Sequence, residues 1–214
     1  MIYRPRLEML IATGNSGKIR EIGESLRGLP LKLRYLQEFP DIPPVEEVGQ
    51  TYKENAVLKA LSYSKHAGVF ALADDSGLEV DVLGGAPGVF SARYGGDHAS
   101  DRERTEKLLM ALSRHPGRAR TARFVCCMAL AGWHRGEDQP DGADPHVLHV
   151  NEGKCEGLII ERPRGSNGFG YDPVFVPTGY DRTFAELPAK IKNVISHRAQ
   201  ALEAMRQFLK LLDA

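Results

Sequence analysis

A short apolar run, Leu7 to Thr13, opens into Gly14-Asn15-Ser16-Gly17-Lys18, after which Ile19, Ile22 and Leu26 recur at helical spacing. A run of strand length that gives way to a period near 3.6 across a two-glycine turn specifies a strand, a tight turn and a helix, the building unit of α/β architectures. Thr51 with Glu54 forms a capping box for a second helix; Val57, Ala60 and Leu61 supply its buried stripe, and Gly68 can end it. Val69 to Ala73 reads as a strand. Beyond Asp74-Asp75-Ser76-Gly77, Leu78, Val80 and Val82 alternate with Glu79 and Asp81, so a second strand with one wet face is expected, the two strands flanking a tight turn.

Gly84-Gly85-Ala86-Pro87-Gly88 is too rich in breakers for regular structure. Ser100 and Glu103 offer another capping box, for a helix that buries Leu108, Leu109 and Leu112, and Phe124 to Ala131 is a strongly apolar strand. The polar run from Gly136 to Pro145 reads as an exposed hairpin tip, with strand material resuming from His146 to Ile160. Ala201, Leu202, Met205, Phe208, Leu209 and Leu212 share one face of a last helix that starts just after Ser196-His197-Arg198.

With 214 residues, 42% of them hydrophobic, the chain can bury one sizeable core, as a single globular domain or as two lobes on a shared sheet. Its 28 basic residues balance its 28 acidic ones, which argues against a protein that holds nucleic acid or an anionic membrane by bulk attraction. Any anion must be held by a local cluster. Met9 to Ala12 and Val69 to Ala73 are far shorter than a bilayer span, and the N-terminus lacks a signal-peptide core, so a soluble, cytoplasmic protein is expected. Cys126, Cys127 and Cys155 are expected to be buried or semi-buried free thiols in a reducing compartment, and His146 and His149, with no third soft ligand nearby, ordinary surface histidines.

The first glycine turn can present backbone N–H groups at a helix start, with Lys18 adding a full positive charge: a cradle of phosphate size. Its Gly-x-x-Gly-Lys spacing is too short for the Walker pattern, so an ordinary strand-to-helix turn competes on equal terms. Asp74 and Asp75 end an apolar strand, where α/β proteins place reactive groups. If that segment stays extended, one carboxylate faces a ligand and the other bonds to the turn. Glu46-Glu47 lies in a Pro-rich loop. Carboxylates without Cys or His partners favour a hard cation, magnesium over zinc, and magnesium implies phosphates. Gly165 to Pro173 joins three glycines to Phe169 and Tyr171, which suits either close approach and stacking by a purine or plain core packing. Lys192, His197 and Arg198 gather positive charge towards the last helix. No Gly-x-Ser-x-Gly elbow occurs and neither adjacent cysteine has an evident activating partner, so a water nucleophile is the simpler expectation.

Six segments, in order, carry a family resemblance: Thr13 to Lys18; Glu54-Asn55-Ala56 with Lys59-Ala60; Ala73 to Leu78; Gly84 to Gly88 with Ser91-Ala92-Arg93-Tyr94; Phe169 to Pro173; and Ser196-His197-Arg198. Together they resemble the inosine/xanthosine triphosphate pyrophosphatases of the Ham1 or RdgB type. The resemblance implies that residues 1–214 form one domain of that family: α/β, an elongated mixed sheet with flanking helices in two lobes around a central cleft, assembled as a homodimer. It implies magnesium-dependent hydrolysis of the non-standard purine nucleoside triphosphates ITP, dITP and XTP to monophosphate and pyrophosphate, which cleanses the nucleotide pool. By position, Asp75 resembles the proton acceptor and a magnesium ligand, with Glu46, or its neighbour Glu47, as the second ligand. Thr13, Gly14, Asn15, Ser16, Gly17, Lys18 and Ser76 resemble substrate contacts; Phe169, Gly170, Tyr171, Asp172, Lys192, His197 and Arg198 resemble the set that recognises the base and clamps the substrate. Trp133 to Cys155 matches least.

On this reading Asp75 orients or deprotonates the water that attacks the α-phosphorus. A triphosphate brings several negative charges beside carboxylates, each pair at ~4 Å being worth roughly 1 kcal/mol in water and about 4 in a partly dry site. Magnesium, Lys18, Lys59 and the helix-start N–H groups are expected to reverse that repulsion. Selectivity is expected at the purine six position: a donor from His197, Arg198 or backbone pairs with the carbonyl of inosine or xanthosine and is left unpaired by the amino group of adenosine, at ~1–3 kcal/mol per mismatch. Competing readings are a pyrophosphatase of the Maf type acting on other triphosphates, a phosphatase or phosphoryl transferase built on the Gly17-Lys18 turn, and a nucleotide-binding module that leaves its ligand intact.

Overall fold

The computed structural model describes residues 7–96, 98–133 and 143–212. Strand β1 (Leu7–Ile11) pairs in parallel with β2 (Leu31–Tyr35), Leu7 opposite Leu31 and Ile11 opposite Tyr35, and helix α1 (Ser16–Leu26) connects them. Helix α2 (Tyr52–Ala67) leads into β3 (Phe70–Val80), parallel to β1 with Met9 opposite Phe70. There follow α3 (Asp101–Ser113), β4 (Thr121–Gly132), β5 (His146–Ile159), β6 (Phe175–Pro177), α4 (Ala189–Ile195) and α5 (His197–Leu212). The six strands make one mixed sheet in the order β2-β1-β3-β4-β5-β6, with β6 antiparallel to β5.

Helix starts follow their caps. Thr51 Oγ1 accepts the Glu54 N–H at 3.1 Å while Glu54 Oε2 accepts that of Thr51 at 3.2 Å, and Ser100 with Glu103 closes the same reciprocal pair. Gly68, at φ 66°, ends α2 in the left-handed region that a side chain would disfavour.

The expected turn at Asp74-Asp75-Ser76-Gly77 does not form: β3 runs unbroken from Phe70 to Val80. Exposed Asp and Ser favour turns by bonding to their own backbone; here both carboxylates are buried and engaged by side chains from other elements, which leaves the backbone extended. Val82 falls in a helical turn over Asp81–Leu83, outside the strand. His149 is half-buried rather than a plain surface histidine: its ring stacks on Phe208 with centroids 4.2 Å apart, and burial lowers its pKa. All three cysteines are free and buried, the Cys155 thiol pushed up to about 11 by burial. Of the hairpin expected between Gly136 and Pro145, residues 136–142 lie outside the described residues.

The chain divides into two compact units, one of Met1–Asp75, Cys127–Asn151 and Ala201–Ala214, the other of Ser76–Cys126 and Glu152–Gln200. The first buries Met9, Leu10, Ile11, Ile22, Leu72 and Met128. The second is built on a cluster that includes Leu78, Leu108, Phe124, Phe175 and Phe184, with Phe124 edge-on to Phe175 at 4.7 Å. Among the described residues no helix is long and apolar enough to cross a membrane.

Candidate active site

Each unit holds a cluster of buried polar side chains. In the first, the chain leaves β1 through an exposed turn: Thr13 Oγ1 accepts the Asn15 N–H at 3.2 Å, and Asn15 Oδ1 caps α1 by accepting the Lys18 N–H at 3.0 Å. Space beside the Gly14 Cα is open. The Lys18 ammonium reaches β3, 2.9 Å from Asp74 Oδ2. From α2, Asn55 Nδ2 donates to Asp75 Oδ2 at 2.9 Å, and Lys59 Nζ lies 2.5 Å from Glu47 Oε1 and 4.0 Å from Asp75 Oδ1. Asn55 Oδ1 in turn accepts the Gly49 N–H at 2.8 Å. A Cβ on Gly49 would come within 2.7 Å of that oxygen, so the loop carrying Glu47 can approach α2 this closely only as glycine.

Three carboxylates (Glu47, Asp74, Asp75) and two ammonium groups (Lys18, Lys59) leave this set one negative charge in excess. Burial pushes the Asp75 carboxyl above its ordinary range; Lys59 and the Asn55 hydrogen bond pull it back, and the Glu47 charge adds to the rise. For Lys59, burial works against the charged form but is outweighed by Asp74, Asp75 and Glu47, so its pKa is raised. A partly desolvated carboxylate held by directed donors is equipped to take a proton from water.

The second cluster surrounds Phe169. The Lys192 ammonium lies 4.7 Å from its ring centroid and the Arg198 guanidinium carbon 5.6 Å. Asp172 Oδ2 accepts from Lys192 and, at 2.9 Å, from the Phe169 N–H. Arg198 also donates to Ser76 Oγ at 2.8 Å, and the His197 ring stacks on Phe124 at 4.7 Å. Lys192, His197, Arg198 and Asp172 are all buried, while Phe169 is half-buried. Two fixed cations against one carboxylate make this set rich in donors, suited to carbonyl-type acceptors beside a ring face.

The structure therefore gathers Lys18, Asp74, Asp75 and Glu47 in one set, and Ser76, Phe169, Asp172, Lys192 and Arg198 in the other. Glu46 is exposed and stays out of the first set, whereas Glu47 is half-buried and pairs with Lys59. Tyr171 lies in the core with its hydroxyl donating to Ser91 O at 2.9 Å, so of the two loop aromatics Phe169 alone offers a ring face. Asn55 and Lys59 belong to a segment that carries the family resemblance, but from sequence alone Asn55 has no assigned role and Lys59 is only an extra positive charge. The signal was there: both fall at i, i+4 spacing on the stripe of Ala56 and Ala60, where polar residues have no place without a partner.

An α/β sheet carrying a lysine-bridged carboxylate set beside a helix-start turn, and a cation-flanked aromatic loop, defines a nucleotide-handling protein. Residues 9–208 match the model of the Ham1 family, and the chain belongs to that family. It is 46% identical over 201 residues to a dITP/XTP pyrophosphatase of Geobacter sulfurreducens, a match spanning 94% of this chain and 96% of that one. A dITP/XTP pyrophosphatase of Syntrophobacter fumaroxidans is 49% identical over 205 residues, 95% of this chain and 83% of its own. Among solved structures, a HAM1 protein from Coxiella burnetii superposes with a TM-score of 0.82 at 45% identity, covering 95% of this chain and 98% of that one.

Proposed function

We propose that this chain, acting as one domain over residues 1–214, hydrolyses ITP, dITP and XTP to the nucleoside monophosphate and pyrophosphate. The observation that carries the reading is Asp75, buried, raised in pKa and held between Asn55 and Lys59 in a member of a family whose relatives are named dITP/XTP pyrophosphatases.

In this reading Asp75 accepts a proton from water as the water oxygen bonds to the α-phosphorus; the bond from that phosphorus to the α–β bridging oxygen breaks, and pyrophosphate leaves with the electron pair. Lys18, Lys59 and the N–H groups at the start of α1 take up the charge that grows on the leaving group. The oxygen-only donors and their excess negative charge fit a hard dication, with Glu47 and Asp75 as the residues that would hold it. Magnesium is commonly bound through one or two carboxylates plus phosphates and water. Held by Glu47 and Asp75, magnesium would supply charge neutralisation to the polyphosphate and Lewis-acid activation of the attacking water. The Phe169 cluster receives the base: its ring offers stacking, and donors from Arg198, Lys192 or His197 pair with a six-position carbonyl and not with an amino group. Homodimeric assembly belongs to the same reading and is tested by sedimentation.

Incubation with ITP and magnesium, followed by product analysis, separates the readings. Monophosphate with pyrophosphate is expected. Diphosphate with phosphate would indicate a phosphatase, an intact ligand a binding module, and preference for other modified or pyrimidine triphosphates a Maf-type enzyme.

A further inference from the structure

Three successive residues of the loop that carries Phe169 are tied down in different ways. The Phe169 N–H is held within the loop by Asp172, and the Tyr171 hydroxyl is held by Ser91 O. Between them the Gly170 N–H donates at 2.7 Å to Asp101 Oδ2, a charged acceptor delivered from the first turn of α3, distant in sequence. Gly170 stands at φ 62°, where glycine is at ease and most other residues are not. The other oxygen of Asp101 accepts from Arg104, whose guanidinium also donates to Ala92 O at 2.9 Å and Ala99 O at 2.6 Å. Arg104 thus fixes Asp101 against the segment that supplies Ser91, and Asp101 fixes the loop.

We propose that Asp101 is a positioning residue for substrate selectivity: by holding the Gly170 N–H it sets the Phe169 ring against Lys192 and Arg198, and so fixes the donors that tell a six-position carbonyl from an amino group. The inference rests on the reading of the function above. Discrimination by unpaired donors needs donors that cannot swing aside to suit the wrong base, and a loop freed at Gly170 lets the ring and its two cations readjust. Asp101 is 45% exposed and its partner Arg104 19%, so their ion pair adds little to global stability, and loss of Asp101 is felt in the loop before it is felt in the fold.

The test compares Asp101→Ala and Asp101→Asn with Ser100→Ala, which removes the α3 cap without touching Gly170. ITP and ATP are each assayed with magnesium, and amide hydrogen exchange is followed over residues 165–174. Asp101→Ala is expected to lower the ITP-over-ATP ratio of kcat/KM by about tenfold, chiefly through KM for ITP, and to speed exchange in the loop by a similar factor. Asp101→Asn keeps one acceptor oxygen where the aspartate uses two, so it is expected to fall between wild type and Asp101→Ala, and Ser100→Ala to melt at lower temperature with selectivity unchanged. An Asp101→Ala enzyme with wild-type selectivity overturns the proposal, as does a Ser100→Ala enzyme that loses selectivity equally. If the wild type shows no preference for ITP, the substrate reading fails on its own account; the hold of Asp101 on the loop is then judged by exchange, and unchanged exchange overturns that too.

Discussion

Asn55 donates to Asp75 through one end of its side-chain amide and accepts the Gly49 N–H through the other, at 2.9 and 2.8 Å. A single fully buried side chain therefore aims the carboxylate and anchors the loop that brings Glu47 to Lys59. Asn55→Ala removes one hydrogen bond from the buried Asp75 carboxylate and one from the part-buried Gly49 N–H. We expect it to destabilise the protein by ~1–3 kcal/mol in urea melts and to lower kcat by on the order of 10- to 100-fold. Asn55→Asp sets a carboxylate against Asp75 and should move the acid limb of the kcat–pH profile to higher pH.

Asp75→Asn keeps the shape and an acceptor for Asn55 but cannot take a proton. Turnover of ITP should fall by on the order of 10² to 10⁴. Its effect on stability has the opposite sign. Burial raises the Asp75 pKa above its ordinary 3.8, so the folded protein binds this proton more tightly than the unfolded chain does. The resulting stabilisation is complete below 3.8 and is lost as pH rises through the folded pKa. In chelator-containing buffer at pH 7, Asp75→Asn should thus be at least as stable as wild type, with its advantage shrinking on acidification; chemical melts at pH 7 and at acidic pH check this.

Glu46 and Glu47 are chemically identical neighbours in different surroundings. Glu47→Gln should lower activity at limiting magnesium by about 100-fold and raise the magnesium needed for half-maximal rate. Glu46→Gln should change both by less than about threefold, as expected for an exposed side chain away from the cluster. Magnesium titrations of the two variants make the comparison.

Gly168 stands at φ 77° with Asp172 Oδ2 only 1.9 Å from where a Cβ would be. Gly168→Ala should displace Asp172 from Lys192 and the Phe169 N–H, raising KM for ITP by about tenfold or more with a smaller change in kcat. Steady-state kinetics read that split.

Much of this was legible in the chain because the signals are local. The boxes Thr51/Glu54 and Ser100/Glu103 open α2 and α3, and the last helix buries Ala201, Leu202, Met205 and Leu209 as its spacing demands. What stayed hidden depends on partners far along the chain. Asp74-Asp75-Ser76-Gly77 carries turn chemistry, and nothing within it tells that Lys18, Asn55 and Lys59 hold it extended inside β3. The choice between Glu46 and Glu47 rests on which faces Lys59, a fact of packing. Asp101 reads as a good first-turn helix residue, and its bond to Gly170 joins segments 69 residues apart. The three-residue strand β6 is too short to carry a period.

The account turns on water attacking the α-phosphorus of a purine triphosphate under the control of Asp75. Hydrolysis of ITP in oxygen-18 water, with products resolved by mass spectrometry, tests it directly. Label should appear in the inosine monophosphate and not in the pyrophosphate, at a rate that collapses in Asp75→Asn. Label in pyrophosphate, or release of single phosphate, would contradict the account, and so would an Asp75→Asn enzyme that turns over normally.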